Sequence, residues 1–159
     1  MGNIAASWFI SGGWSVYGKG SNMVDQEIFS RRLEALRGYL GRLEPFKNVA
    51  LDEFVAQPAI HDLAERYLHL MMECVLDLGN HYLADRELGI AETNRDVFLL
   101  LRQSGELDND TAAGLARWAG FRNILAREYL AFNHAISWQA IQSELPVVVR
   151  FYDWAASKI

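Results

Sequence analysis

Three ionisable side chains recur at every fourth position of one apolar-rich segment: Glu73, Asp77 and His81, with Asn80 beside them. In a helix, this spacing places the three on one face, each about one turn from the next. Two carboxylates and an imidazole in a column could bind a metal ion or hold a proton-transfer group. The same pattern is typical of a solvated helix face, or of one buried histidine that bonds Asp77. A di-metal bundle site needs a second Glu-x-x-His pair, so we predict no metal here.

A second polar group consists of Arg122, Asn123, Arg127 and Tyr129. Arg122 and Tyr129 are seven residues apart, so a helix returns them to nearly the same azimuth. Asn123 and Arg127 lie one turn apart on the neighbouring face. By spacing alone, the pattern fits a catalytic group, and it also fits arginine and tyrosine side chains that snorkel or form an interface.

The other candidates for chemistry are histidines and the single cysteine. His61 and His69 have carboxylates close by along the chain, and we predict both to be surface residues. His134 follows the second polar group in a predicted loop and stays a candidate. Cys74 falls within an apolar stripe, which predicts an inert core thiol. The sequence contains no glycine-rich phosphate loop, no G-x-S-x-G and no H-E-x-x-H.

Composition narrows the class of protein. Fifteen Lys+Arg against twenty Asp+Glu give the 159 residues a net charge of -5, which excludes a broad basic surface for duplex binding but allows one local phosphate pocket. A hydrophobic content of 51% supplies the core of one domain. One cysteine excludes an intramolecular disulfide and suits a reducing compartment. Residues 5–17, the longest nearly uncharged apolar stretch, are too short to span a bilayer and lack a signal-peptide pattern, so we predict a cytoplasmic protein.

Helical periodicity begins near Met23 and continues to the C-terminus. The first 22 residues have no helical or strand period, and they carry a single charge, Lys19. We therefore predict a loose N-terminal extension, residues 1–22, and a helical domain, residues 23–159; a functional N-terminal arm is the alternative. The first predicted helix carries an apolar stripe of Phe29, Leu33, Leu36, Leu40 and Leu43.

Capping and helix-breaking residues divide the rest of the domain. The second helix is predicted to run from Pro58 to Gly89, with Leu63 in its apolar stripe, and Thr93 with Asp96 is predicted to cap a third. The fourth is predicted to be capped by Asp110 or Thr111, and the last to kink or restart at Pro146 with Ser143 as its cap. No strand pattern appears and the loops are short, which predicts an all-α up-down bundle of about five helices.

Residues 122–129 resemble the motif of the HepT-like toxins of the HEPN ribonuclease superfamily: an arginine, a polar residue, three more residues, then His-x-Tyr. The segment RYLHLMMECVLDLGNHYLADRELG (66–89) is similar to the family's long second helix. NRDVFLLLRQSGELDNDTAAGLARWAGFRN (94–123) is similar to its approach to the catalytic helix, and EYLAFNHAISWQAIQSELPVVVRFYDWA (128–155) to its last segment. The resemblance therefore covers about residues 23–159.

This resemblance implies a HEPN-like helical homodimer whose arginine and histidine line a cleft at the dimer axis. It implies metal-independent RNA cleavage without a cofactor, in which a ribose 2′-oxygen loses its proton and attacks the adjacent phosphorus. The need for a 2′-hydroxyl selects RNA over DNA. The implied partner is an MNT-type nucleotidyltransferase antitoxin, which in some members adds AMP to the motif tyrosine. No membrane association is implied.

Position by position, the resemblance assigns phosphate binding to Arg122, the polar neighbour to Asn123 and the AMP acceptor to Tyr129. Arg127 stands at the position of the family's histidine. A guanidinium has a pKa above about 12, so it can bind phosphate but cannot transfer protons at neutral pH. Loss of a general acid–base group typically lowers the rate by about 10²–10⁴.

Three hypotheses follow from this departure. In the first, the chain is a HepT-type toxin that has lost its catalytic histidine. In the second, it is an active nuclease in which His134 or His81 replaces that histidine, with Asp77 as support. In the third, it is a non-enzymatic helical module that binds a nucleotidyltransferase or a nucleotide.

We expect removal of the residues before Met23 to leave the melting temperature unchanged, because they carry no periodic apolar face to pack on a bundle. Thermal unfolding of the truncated and full-length chains measures this. A lower melting temperature after truncation would mean that Trp8 and Trp14 dock on the domain.

Overall fold

The computed structural model describes the backbone of residues 22–127 and 133–159, and the side chains of residues 26–121 and 133–159. Within these ranges the chain forms seven α-helices and one 3-10 turn, and no strand. The helices are α1 (Asn22–Leu43), α2 (Leu51–Ala56), α3 (Pro58–Asp85), α4 (Asn94–Gln103), α5 (Asn109–Arg127), α6 (His134–Ser143) and α7 (Leu145–Ala156). The all-α bundle is confirmed, with more helices than the predicted five. Of the predicted extension, residues 1–21 lie outside the described residues.

Helix α1 packs antiparallel along α3. Phe29, early in α1, contacts His81, late in α3, with ring centroids 5.6 Å apart. Tyr39, late in α1, lies 6.3 Å from Tyr67, nearer the start of α3. The predicted stripe of α1 accounts for this packing, because four of its five members are buried and Leu40 is half-buried.

Helices α5 and α7 form a second antiparallel pair. At one end, Arg150 Nε donates to Thr111 Oγ1 at 3.0 Å. At the other end, Arg117 Nη2 lies 3.7 Å from Glu144 Oε2. The short connection between α6 and α7 places Pro146 in the first turn of α7, where its missing N–H breaks no helical hydrogen bond. The last predicted helix therefore restarts at the proline rather than kinking through it.

A carboxylate joins α3 to the C-terminal residues. Glu106 accepts hydrogen bonds from Tyr82 Oη at 2.8 Å, Trp154 Nε1 at 3.3 Å and Lys158 Nζ at 2.6 Å. The hydrogen bond from Lys158 is the main reason that the pKa of Glu106 lies below its usual value. This network holds α7 against the C-terminal half of α3.

Some helix caps agree with the predictions from sequence, and others differ from them. The Thr93–Asp96 capping box is present. The cap of α5 is Asp108, whose carboxylate accepts from the backbone N–H of Thr111, so neither Asp110 nor Thr111 is the cap. Ser143 was also wrong as a cap, because its hydroxyl donates to the carbonyl of Gln139.

The apolar stripe predicted for α3 was wrong at Leu63, which is 46% exposed. The predicted Met71, Cys74, Leu78 and Tyr82 are buried, but the buried residues of α3 cover several sides of the helix and also include Met72, Val75 and Leu76. A helix with neighbours on several sides has no single stripe, so a one-face pattern misassigns its flanking positions.

We expect Gly79→Ala to lower the free energy of unfolding by about 1–3 kcal/mol, because the added Cβ enters a close helix contact. A Cβ at Gly79 would lie 2.5 Å from Val97 Cγ1, and a valine side chain in a helix has little freedom to move away. The matched control is Gly38→Ala on α1, where no atom lies within 4 Å of the new Cβ. That change should raise the free energy of unfolding by about 0.5–1 kcal/mol through helix propensity.

Urea denaturation of both variants and the unaltered chain measures the difference. Equal stabilisation by the two substitutions would contradict a tight approach of α4 to α3.

Candidate active site

The polar group predicted from spacing lies at the C-terminal end of α5. The backbone of Arg122, Asn123 and Arg127 is helical, since α5 extends unbroken through Arg127. Arg122 follows Leu115 by seven residues, so its backbone position continues the row of α5 that carries that fully buried leucine. Tyr129, the predicted AMP acceptor, lies outside the described residues.

An apolar groove of about 370 Å³ runs between α5 and α6, next to this end of α5. Its walls include Trp118 and Phe121 from α5 and Ile136 from α6. Ile136 is 44% exposed, and the rings of Trp118 and Phe121 meet edge to face at 5.6 Å. Phe121 directly precedes Arg122, so the groove leads to the turn that begins the predicted motif.

His134 is the first residue of α6 and is held against α3. Its Nδ1 lies 2.7 Å from Glu65 Oε1, and the same oxygen accepts a hydrogen bond from Ser137 Oγ at 2.8 Å. The ring of His134 also stacks on the ring of His61, with centroids 3.5 Å apart and an angle of 20° between the planes. His134 was predicted to lie in a loop; it starts a helix instead, with Asn133 as the cap.

The prediction that His61 is a surface residue was wrong, because it is 6% exposed. It lies on the side of α3 that α6 and α2 cover, near Phe54 at 6.4 Å between ring centroids. A neighbouring carboxylate along the chain suggested a solvated position. No local sequence pattern indicates that α6 covers His61, because His134 is distant from His61 in the sequence.

Helix α6 is anchored by two hydrogen bonds to the segment before α2. Trp138 Nε1 donates to the carbonyl of Val49 at 2.8 Å, and Gln142 Nε2 donates to the carbonyl of Lys47 at 3.1 Å. Both acceptors are backbone groups, so the position of α6 depends on the path of the chain rather than on one exchangeable side chain. His134 therefore occupies a defined place relative to α3.

The column predicted from Glu73, Asp77 and His81 is distributed among different contacts. Asp77 Oδ2 lies 3.2 Å from Arg32 Nε of α1, and Glu73 Oε1 lies 3.9 Å from His69 Nε2. His81 packs against Phe29 of α1. This column is not among the side-chain groups with metal-ligand spacing in the part of the chain that the structure describes.

Asp77 and His81 are also far from His134. His81 lies sixteen residues beyond Glu65 in the continuous helix α3, which corresponds to about 24 Å along its axis. The three residues named as possible support for the motif thus belong to two separate regions of the domain.

Cys74 lies in the core, as predicted, with 3% of its surface exposed. Burial raises the pKa of its thiol above the usual value, which keeps it protonated and poorly nucleophilic at neutral pH. The cysteine offers no reactive group to either polar region.

A helical bundle alone does not identify a protein family, whereas similarity to known proteins does. The family model for ribonuclease HepT-like proteins matches residues 36–153. The chain belongs to the ribonuclease HepT-like family. The matched range contains all of the motif positions, from Arg122 to Tyr129.

Two curated members of the HepT group are similar to the chain. A tRNA nuclease HepT from Aphanizomenon flos-aquae is 30% identical over 106 residues, which cover 67% of this chain and 72% of that protein. An mRNA nuclease HepT from Shewanella oneidensis is 31% identical over 81 residues, 51% of this chain and 61% of that protein.

Solved structures share the HepT-like fold. The tri-AMPylated HEPN toxin of Shewanella oneidensis, in complex with its MNT antitoxin, matches with a TM-score of 0.75 at 23% identity, over 82% of this chain and 98% of the toxin. The cytosolic protein YutE of Bacillus subtilis matches with a TM-score of 0.72 at 17% identity, over 84% of this chain and 90% of that one. At such identities the likeness concerns the fold. No helix among the described residues is long and apolar enough to cross a membrane.

Proposed function

We propose that the chain is the toxin of a toxin–antitoxin pair, an endoribonuclease of the HepT type whose activity is impaired by Arg127. The family match over residues 36–153 carries this proposal. The curated relatives are nucleases of tRNA and mRNA, which supports RNA as the substrate class. We place the protein in the cytoplasm, where both RNA and a reducing environment for its single cysteine are found.

Arg122 and Asn123 are proposed to hold the scissile phosphate from the last turns of α5. In this reaction the 2′-oxygen forms a bond to phosphorus and the bond to the 5′-oxygen breaks, with one proton removed and one supplied. A fixed guanidinium stabilises the extra negative charge that develops on the phosphorane oxygens. The unbroken helix through Arg127 provides a rigid base for both residues.

Arg127 changes what this site can do. It supplies a second permanent cation where the family has an imidazole, so phosphate binding is retained and proton transfer is lost. The chain as it stands should therefore bind RNA weakly and cleave it very slowly or not at all. The same residue supports a second candidate function, a non-enzymatic module that binds a nucleotidyltransferase or a nucleotide.

The proposed partner is an MNT-type nucleotidyltransferase antitoxin. The fold match to a HEPN toxin that is AMPylated and bound to its MNT antitoxin supports this partner. Tyr129 corresponds to the motif tyrosine and is the proposed AMP acceptor. The positive charge of Arg122, seven residues earlier, would attract the incoming phosphate and lower the cost of a phenolate.

We further propose that two copies of the chain pair with a two-fold axis near Arg122. The groove between α5 and α6 supports this arrangement, because its wall includes the exposed Ile136 and the half-buried Phe121, which directly precedes the motif. An apolar surface of this kind is typical of an interface. In an isologous dimer, the same surface of each protomer contributes, which would bring the two motifs together.

Replacing the arginine by the family residue tests the proposed chemistry. The Arg127→His variant should cleave single-stranded RNA at least about 10²-fold faster than the unaltered chain, because it regains a group with a near-neutral pKa. Cleavage should persist in EDTA and leave a 2′,3′-cyclic phosphate. Gel analysis of a labelled oligonucleotide measures both rate and end group.

Two controls separate this site from a general effect. Adding Arg122→Ala to the variant should remove the activity, because the phosphorane loses its fixed cation. Arg102→His places a histidine on the exposed surface of α4 and should create no activity. An inactive Arg127→His protein with an intact dimer, verified by sedimentation, would favour the non-enzymatic module. Robust cleavage in EDTA by the unaltered chain would assign proton transfer to another group, such as His134.

Modification by the partner provides an independent test. Incubated with a cognate nucleotidyltransferase and ATP, the chain should gain the mass of one or more AMP units, and Tyr129→Phe should abolish that gain. Tyr152→Phe, a half-buried tyrosine of α7, is the matched control and should be modified normally. Intact-mass spectrometry gives the result, and an undiminished gain in the Tyr129→Phe protein would exclude this residue as the acceptor.

A further inference from the structure

We propose that His61, Glu65 and His134 form a binding site for one transition-metal ion of the zinc class. His61 and Glu65 are four residues apart on α3, and His134 begins α6. One candidate ligand atom from each residue lies within 4.8 Å of the others. In the part of the chain that the structure describes, this is the group of histidine, cysteine or acidic side chains whose ligand atoms lie close enough together to hold one metal ion.

A second observation comes from the buried imidazole of His61. Its side chain is 8% exposed, and its Nδ1 makes no hydrogen bond. Asp62 Oδ1 lies 2.9 Å from that nitrogen, but out of line with a ring N–H. Leaving a buried polar atom without a partner is unfavourable, so the position requires a reason other than packing.

Metal coordination supplies such a reason. An ion bound through Nδ1 of His61 would give that nitrogen the partner it lacks, and the Asp62 carboxylate, 2.9 Å away, would add a negative charge beside the ion. Ser137 supports the other ligand, since its hydroxyl donates to Glu65 Oε1 at 2.8 Å.

The donor set indicates which ions fit. Two imidazole nitrogens and one carboxylate bind Zn²⁺ and leave a fourth position for water or another group. Magnesium and calcium prefer all-oxygen sites, so they fit this cluster poorly. Neighbouring ligand atoms of a tetrahedral zinc are about 3.4 Å apart, which lies within the 4.8 Å that encloses the candidate ligand atoms. Because imidazole lone pairs lie in the ring plane, the His134 ring must turn out of its stack on His61 when the ion binds. Glu65 and His134, whose side chains are 16% and 28% exposed, have the room to shift and leave a path for the ion.

The site would connect α3 to α6 just after the segment that carries the proposed AMP acceptor. Residues 128–132, which include Tyr129, lie between the end of α5 and His134. An ion held by both α3 and α6 fixes the point at which the chain resumes after that segment. The ion takes no step in RNA cleavage, and the site is independent of whether the chain is a ribonuclease.

Direct binding measurements test the site. The full-length, tag-free chain is treated with EDTA, exchanged into metal-free buffer and titrated with ZnCl₂ by calorimetry. We expect one ion per chain and a higher melting temperature with excess zinc, because the ion binds the folded state. With CoCl₂, the bound ion should show the visible absorption of low-coordinate cobalt with nitrogen ligands.

Substitutions assign the ligands. Glu65→Gln, His134→Asn and His61→Asn should each lower the zinc affinity at least about ten-fold, and at least as strongly as removal of an outer-shell partner does. The matched control is His69→Asn, because His69 and Glu73 have the same four-residue spacing on α3 without a second histidine in the group. It should leave the affinity unchanged.

The outcomes are decisive in either direction. No zinc binding by the unaltered chain would overturn the site, as would unchanged affinity in Glu65→Gln and His134→Asn. An equal loss in His69→Asn would place the ion on the surface of α3 instead. If the buried His61→Asn variant does not fold, the other two variants still decide the question. None of these measurements involves RNA, so they are independent of the proposed nuclease activity.

Discussion

The 28-residue helix α3 is the element on which the rest of the domain depends, because it is covered by other helices on several sides. At 1.5 Å per residue it is about 42 Å long, which is longer than a small domain is wide. Helix α1 runs along both halves of α3. Helix α4 packs against the C-terminal half, and α2 and α6 meet the N-terminal half. Removing so much apolar surface from water stabilises the whole bundle.

The length of α3 also separates the ionisable side chains of the domain into two regions. One end of α3 holds His81 against α1, and the other holds His61 and Glu65 against α6. A rigid helix prevents these groups from cooperating, because about 24 Å of regular backbone lies between Glu65 and His81. The motif on α5 is associated with the α6 end through the groove that Phe121 and Ile136 share.

Much of the architecture could be predicted from local patterns. The stripe of α1 and the Thr93–Asp96 capping box depend on residues within a few positions of one another, and the structure confirms both. Leu63 and His61 were misassigned for a common reason: each lies on a helix with several neighbours, so burial depends on where other helices pass. The cap of α5 was missed by two or three residues, which is the usual uncertainty where several acidic and hydroxyl residues are adjacent.

The sequence by itself determined the helical class, through periodicity within single segments, and the family, through resemblance along most of the chain. The proposed departure at Arg127 also comes from the sequence alone, and it bears on the chemistry because a guanidinium cannot replace an imidazole in proton transfer. Only the tertiary structure decided that His134 meets Glu65 and stacks on His61, although they are about seventy residues apart in the chain. Helical periodicity describes which face of one helix is apolar; it carries no information on which distant helix covers that face, and this contact alone creates the cluster.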